Sequence, residues 1–256
     1  MGDPREGLEP DGTIRTGASA ERIADRYRAL VASTIEAVLA AAPAASVYAY
    51  GSVTTGQAES PRSDVDVLTI GLDPSIAREI ALDASTRFSH LCRGVEIAAG
   101  APGDFVGDTS ESYGAQVFLH HYCIHLTGPD LDRAVTGFAG DRRAARGFNG
   151  DIGRHAERWR RSLGEVDPGD LGRRIARKTL LACAGLVSVH DGTWTTDRRR
   201  SARRWSEIHP GLRAGLTQLL ELADGAARPS RAEVTANLDD VVDVIAQQFA
   251  DEIGLW

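Results

Sequence analysis

Apolar residues recur at helical spacing through SAERIADRYRALVASTIEAVLAAA, where Ile23, Tyr27, Leu30, Ile35 and Val38 fall on one face. Ser19 stands where an N-cap belongs and Pro43 where the helix must end, so the pattern predicts an amphipathic helix from about residue 19. The period then changes. ASVYAYG alternates and is rich in β-branched and aromatic residues, which predicts a strand, and VDVLTIG predicts a second after a Gly, Ser and Pro stretch. DPSIAREIALDASTRFSHLC returns to a helical period, and GVEIAAG reads as a third strand. YGAQVFLHHYCIHLTGPDL predicts a helix running into a short strand, turned by Gly128 and Pro129.

Beyond about residue 140 the strand signals fade. DIGRHAERWRRSLG, DLGRRIARKTLLACAGLVSVHDG, HPGLRAGLTQLLELADG and SRAEVTANLDDVVDVIAQQFADEIG all fit a helical period. The expected class is α+β: a small mixed sheet domain over residues 19–140, followed by an all-helical domain over 141–256. Residues 1–18 offer few apolar anchors and several turn formers, and predict a flexible leader. No internal repeat or low-complexity tract interrupts this order.

Composition adds limits. A chain of 256 residues, 42% hydrophobic and 25% charged, can bury a substantial core in two modest domains. No apolar run approaches bilayer length, and the acidic, Gly/Pro-rich start MGDPREGLEPDGTIRTG is unlike a secretory signal, so a cytoplasmic location without membrane partners is expected. Cys92, Cys123 and Cys183 are far apart and form no CxxC, which predicts reduced thiols. The net charge of −7 argues against general nucleic-acid binding. Yet residues 141–205 hold 16 Arg and Lys against 8 Asp and Glu, a local excess suited to an anion such as a nucleoside triphosphate.

The chemistry concentrates in VYAYGSVTTGQAESPRSDVDVLTIG, residues 47–71. On a strand, Asp64 and Asp66 share a face while Val65 and Val67 take the other. Two adjacent carboxylates repel unless a cation neutralises them, and a pair of hard oxygen ligands suits Mg²⁺. Upstream, Gly51 permits close approach of a phosphate to the backbone and Ser52 supplies a hydroxyl donor.

Gly51-Ser52, eleven residues, then Asp64-Val65-Asp66-Val67 resembles the motif of the nucleotidyltransferase superfamily of the DNA polymerase beta type. Within it the chain looks most like the aminoglycoside adenylyltransferases that act on streptomycin and spectinomycin. That likeness adds Gly94-Val95-Glu96-Ile97, the turn Leu126-Thr127-Gly128-Pro129 and the segment from Arg177 to Trp205.

The resemblance implies a Mg²⁺-dependent enzyme with ATP as co-substrate and an active site in the cleft between the two domains. Asp64 and Asp66 would hold the metal, and Glu96 would be the catalytic base, with Asp104 its competitor. Gly51, Ser52 and the amides from Val53 to Gly56 would receive the β- and γ-phosphates. Arg198 and Arg199 would supply the helical domain's basic contact to ATP. The acceptor would be a hydroxyl of a small molecule, of the antibiotic-modification type, and the chain a monomer or homodimer. Alternatives are the same core acting on tRNA or a protein side chain, as in toxin-antitoxin systems, or a non-catalytic nucleotide-binding relative.

One departure concerns the acceptor. Where acids would face a cationic drug this chain has Gly172-Arg173-Arg174-Ile175-Ala176-Arg177-Lys178, unless Asp104, Asp167 or Asp170 compensate. HHYCIH, residues 120–125, matches no known zinc spacing, and Trp159, Trp194 and Trp205 read as packing residues.

Overall fold

The computed structural model describes residues 2–132, 134 and 136–256; Met1, in the expected leader, lies outside them. The chain divides into two compact units. One comprises residues 3–6 and 14–138, the other residue 2, residues 7–13 and 139–256.

The leader is built into these units. Short strands β1 (Gly7–Leu8) and β2 (Ile14–Arg15) lie within it, and Ile14 is buried. In the first unit Tyr122 Oη donates to Glu6 Oε1 at 2.7 Å, and the Thr16 hydroxyl donates to the His121 carbonyl. In the second, Thr13 bridges Ala139 and the Gly140 amide donates to the Gly12 carbonyl at 3.0 Å. A segment with few apolar anchors is thus held mainly by polar contacts, which local composition does not reveal.

Ser19 is indeed a cap, but of a 3₁₀ turn over Ala20–Arg22; helix α1 (Asp25–Ala41) begins after it. Then follow β3 (Ser46–Tyr50), the one-turn helix α2 (Ser52–Thr55), β4 (Val65–Ile70), α3 (Pro74–Arg87), β5 (Val95–Gly100), α4 (Ser110–Tyr122) and β6 (Ile124–Thr127). The sheet order is β5-β4-β3-β6, with β4 and β5 parallel and the other pairs antiparallel. The crossover through α3 is what a parallel pair requires.

Alternation along β4 sorts its residues. Val65 and Val67 join Val47, Val95, Tyr27, Leu30 and Val38 in a core with α1 and α3. Leu68 and Ile70 face the other way, packing with Tyr48, Leu119 and Cys123 under α4. Asp66 has the same parity as Leu68 and Ile70, so it sits at the open end of the α4 face. The HHYCIH segment straddles α4 and β6: His120 Nδ1 pairs with Asp132 at 2.8 Å, and the Phe138 amide donates to His121 Nε2 at 2.8 Å.

The second unit is helical: α5 (Arg142–Asn149), α6 (Ile152–Ser162), α7 (Pro168–Asp191), α8 (Arg198–Ile208), α9 (Arg213–Ala223), α10 (Arg231–Asn237) and α11 (Asp243–Glu252). The long α7 is its axis, started by Pro168 with Asp167 as N-cap and ended by Gly192 in the left-handed region. Helices α5, α8, α9 and α11 pack on it, burying Ile175, Leu180, Leu186, Leu216, Leu219 and Phe249. Trp159, Trp194 and Trp205 are buried here, and Trp205 Nε1 donates to Gln248 at 2.9 Å. The last periodic stretch, which reads as one helix, is α10 and α11 joined by a π-helical turn over Leu238–Val242. Among the described residues no helix is long and apolar enough to cross a membrane.

Candidate active site

Three strand positions form a row. The register pairs Tyr50 with Asp66 across β3 and β4, and Asp66 with Glu96 across β4 and β5. Residues opposite one another project to the same face, so the phenol and both carboxylates share the α4 side. Glu96 is exposed on edge strand β5, and Asp66 is half-buried between its neighbours. Asp64 stands one residue before β4, with its side chain 14% exposed.

The electrostatics report the same grouping. Burial pushes the Tyr50 phenol above its usual range, and the charges of Asp66 and Glu96 push it further. Tyr50 therefore stays protonated beside the two carboxylates. Arg93, just before β5, is fixed by its amide, which donates to the Ser63 carbonyl at 3.0 Å. Its guanidinium forks onto Asp64, with Nε at 2.9 Å from Oδ1 and Nη2 on Oδ2. That hydrogen bonding raises the Arg93 pKa, with Asp64, Glu96 and Asp66 adding to the effect. Sequence reasoning missed Arg93; a basic residue three positions before Glu96 is a weak signal without the strand register.

Gly51 has φ +79°, and a Cβ there would lie 2.2 Å from Asp66 Oδ2. Glycine is thus required by both its backbone and its neighbour. Ser52 opens α2 beside it. Of the loop amides, those of Thr55 and Gly56 already donate to the carbonyls of Gly51 and Val53, which leaves fewer loop donors for a phosphate than the stretch from Val53 to Gly56 suggests.

Asp104 is elsewhere. It follows the far end of β5, where its Oδ2 accepts from the Ala101 amide at 2.7 Å and closes its own turn. It lies eight positions after Glu96, four of those steps along the strand at about 3.3 Å each.

Arg198 and Arg199 belong to the helical unit, at the start of α8, and Arg199 pairs with Asp224. Part of the basic stretch is balanced locally: Arg160 by Asp239 and Asp243, Arg173 by Asp170, Arg204 by Asp191. Beyond it Arg228 pairs with Asp167. Lys178 lies 2.7 Å from Asp151 and donates to the Phe148 carbonyl at 3.0 Å. Burial is the largest influence on Asp151 and opposes its ionisation, yet the His155 hydrogen bond and the Lys178 charge together hold it down at about 2.

Among the described residues no group of three or more His, Cys, Asp and Glu side chains is gathered closely enough to hold a metal by itself. A magnesium site does not need one. Mg²⁺ is commonly held by one or two carboxylates together with water and substrate phosphates, and Asp64 and Asp66 are donors of that kind.

No protein-family profile matches the chain, and no curated protein matches its sequence. A solved structure is similar: spectinomycin adenyltransferase AAD(9) from Enterococcus faecialis, crystallised with ATP and spectinomycin, at 11% sequence identity and a TM-score of 0.55. The match covers 86% of this chain and 98% of that one. At that identity the likeness is one of fold: the chain is built on a fold similar to that of this adenyltransferase.

Proposed function

We propose that the protein is a Mg²⁺-dependent nucleotidyltransferase that moves a nucleoside monophosphate, AMP from ATP in the first instance, to a hydroxyl of a small molecule of the antibiotic type. The observation that carries this reading is the row Tyr50, Asp66 and Glu96, with Asp64 at its edge and Gly51 against Asp66, on a fold similar to that of an adenyltransferase crystallised with ATP.

In the reaction the acceptor oxygen attacks the α-phosphorus, the bond to the β-phosphate breaks, and pyrophosphate leaves. Glu96, exposed and adjacent to Asp66, takes the hydroxyl proton. Tyr50, kept protonated by burial and then by the charges of Asp66 and Glu96, lines the carboxylate row as a neutral phenol. Ser52 donates to a phosphate oxygen, and Asp64 with Asp66 would hold Mg²⁺, which when bound offsets charge on the triphosphate and the leaving group.

A strongly cationic acceptor fits less well. Asp104, Asp167 and Asp170 are engaged in a turn, a helix cap with Arg228, and an ion pair with Arg173. A neutral or weakly basic polyhydroxylated acceptor is preferred. The tRNA alternative is disfavoured by the net charge of −7, since nucleic-acid binding draws on a basic surface that displaces counterions.

The test is incubation with ATP, Mg²⁺ and a panel of spectinomycin, aminoglycosides and lincosamides, read by mass spectrometry for an added nucleotide. An adduct formed by the wild type and lost in Asp64→Asn supports the reading. Full transfer by Asp64→Asn would remove it.

A further inference from the structure

We infer that Arg93 is a displaceable counter-ion of the site: Asp64 holds either this guanidinium or a divalent cation, and the released arginine turns to the polyphosphate. The inference rests on the nucleotidyltransferase reading and adds to it a residue that regulates metal loading.

Three features support exchange over a fixed brace. The guanidinium contacts both oxygens of Asp64, the same oxygens a hard cation requires, and two cations cannot share them without strong repulsion. The two partners differ in freedom: the Asp64 side chain is 14% exposed and that of Arg93 57%. The arginine lies on the solvent side and can leave without repacking the core. Its backbone stays in place, because the Arg93 amide is bonded to Ser63 and the Val65 amide donates to the Gly94 carbonyl at 2.9 Å. Arg93 also feels Asp66 and Glu96, so it is a cation for the whole carboxylate row. Once displaced it remains tethered beside the site, where a planar fork of donors matches phosphate oxygens.

The consequence is opposite effects on two ligands. Mn²⁺ serves as the probe for the divalent site, with binding to the nucleotide-free protein followed by electron paramagnetic resonance. Arg93→Gln should bind Mn²⁺ about tenfold more tightly than the wild type, because the competing charged hydrogen bonds are gone. The same variant should bind a non-hydrolysable ATP analogue, in saturating Mn²⁺, about tenfold more weakly. Arg93→Lys, a point charge without the fork, should fall between on both measures. A purely structural ion pair predicts no gain in Mn²⁺ affinity.

Unchanged or weaker Mn²⁺ binding by Arg93→Gln, with its thermal unfolding intact, would overturn the inference. If that variant fails to fold, Mn²⁺ binding by Arg93→Lys no tighter than that of the wild type overturns it equally. Loss of Mn²⁺ binding in Asp64→Asn alongside an unchanged Arg93→Gln would overturn the exchange and leave the transferase reading standing. A Mn²⁺ gain in Arg93→Gln without transfer to any acceptor of the panel would support the exchange and count against the reading.

Discussion

The carboxylate of Asp66 fills the space that a side chain at Gly51 would need: an ideal Cβ on residue 51 falls 2.2 Å from Asp66 Oδ2. The glycine of the Gly-Ser turn and the second aspartate of the Asp-Val-Asp run are therefore one structural unit, joined across β3 and β4 where Tyr50 faces Asp66. Gly51→Ala places a residue at φ +79° and forces Asp66 aside. A loss of roughly 1–3 kcal/mol is expected from the backbone alone. Urea unfolding measures it, and nucleotide binding should fall even where the variant stays folded.

Glu96 and Asp104 separate cleanly by position. Glu96→Gln keeps the shape of the row and removes the proton acceptor, so transfer should drop by about 10²- to 10⁴-fold with little change in nucleotide affinity. Asp104→Asn touches only the cap on Ala101, and its rate should stay within a few-fold of wild type. Steady-state rates on the identified acceptor decide between them; a severe loss in Asp104→Asn with a mild one in Glu96→Gln would reassign the base.

His121 gives a pH prediction. Burial, and then the neighbouring His120, lower its pKa from 6.5 to about 4, and its Nε2 accepts the Phe138 amide as only a neutral ring can. A depressed folded value means that stability is fully present above about 6.5, where both states are neutral. It is lost as pH falls toward 4, because the unfolded chain takes the proton first. Histidine ring resonances followed by NMR should show His121 titrating near 4. A midpoint near 6.5 would contradict the arrangement.

Lys178 lies in the basic run of α7, and its ammonium is tied to Asp151 at 2.7 Å; the two side chains are 19% and 20% exposed. Lys178→Ala leaves Asp151 without its main cation, at a cost of roughly 3 kcal/mol, the low end for breaking a buried pair. Lys178→Met with Asp151→Asn should recover part of that loss in thermal unfolding.

Much of the fold is legible because period and punctuation are local. The change from helical to alternating spacing at Pro43, and the fading of alternation after residue 140, follow from which faces must be buried. The leader is not legible in this way because its anchors are distant: Glu6 on Tyr122, Thr16 on the His121 carbonyl, Ile14 in a core. The start of α1 is displaced from its expected place because Ser19 caps a separate 3₁₀ turn, and a capping side chain does not say how long its helix is.

The sequence by itself determined the two-part α+β plan and the pairing of a Gly-Ser turn with alternating aspartates, since both are written in residue spacing that the strand and helix periods translate directly. Only the tertiary structure decided that Glu96, not Asp104, stands beside Asp66, that Arg93 sits on Asp64, and that several arginines of the basic stretch, Arg160, Arg199 and Arg204 among them, already have acidic partners. Those are matters of strand register and of contacts between residues far apart in the chain, and no local period encodes them.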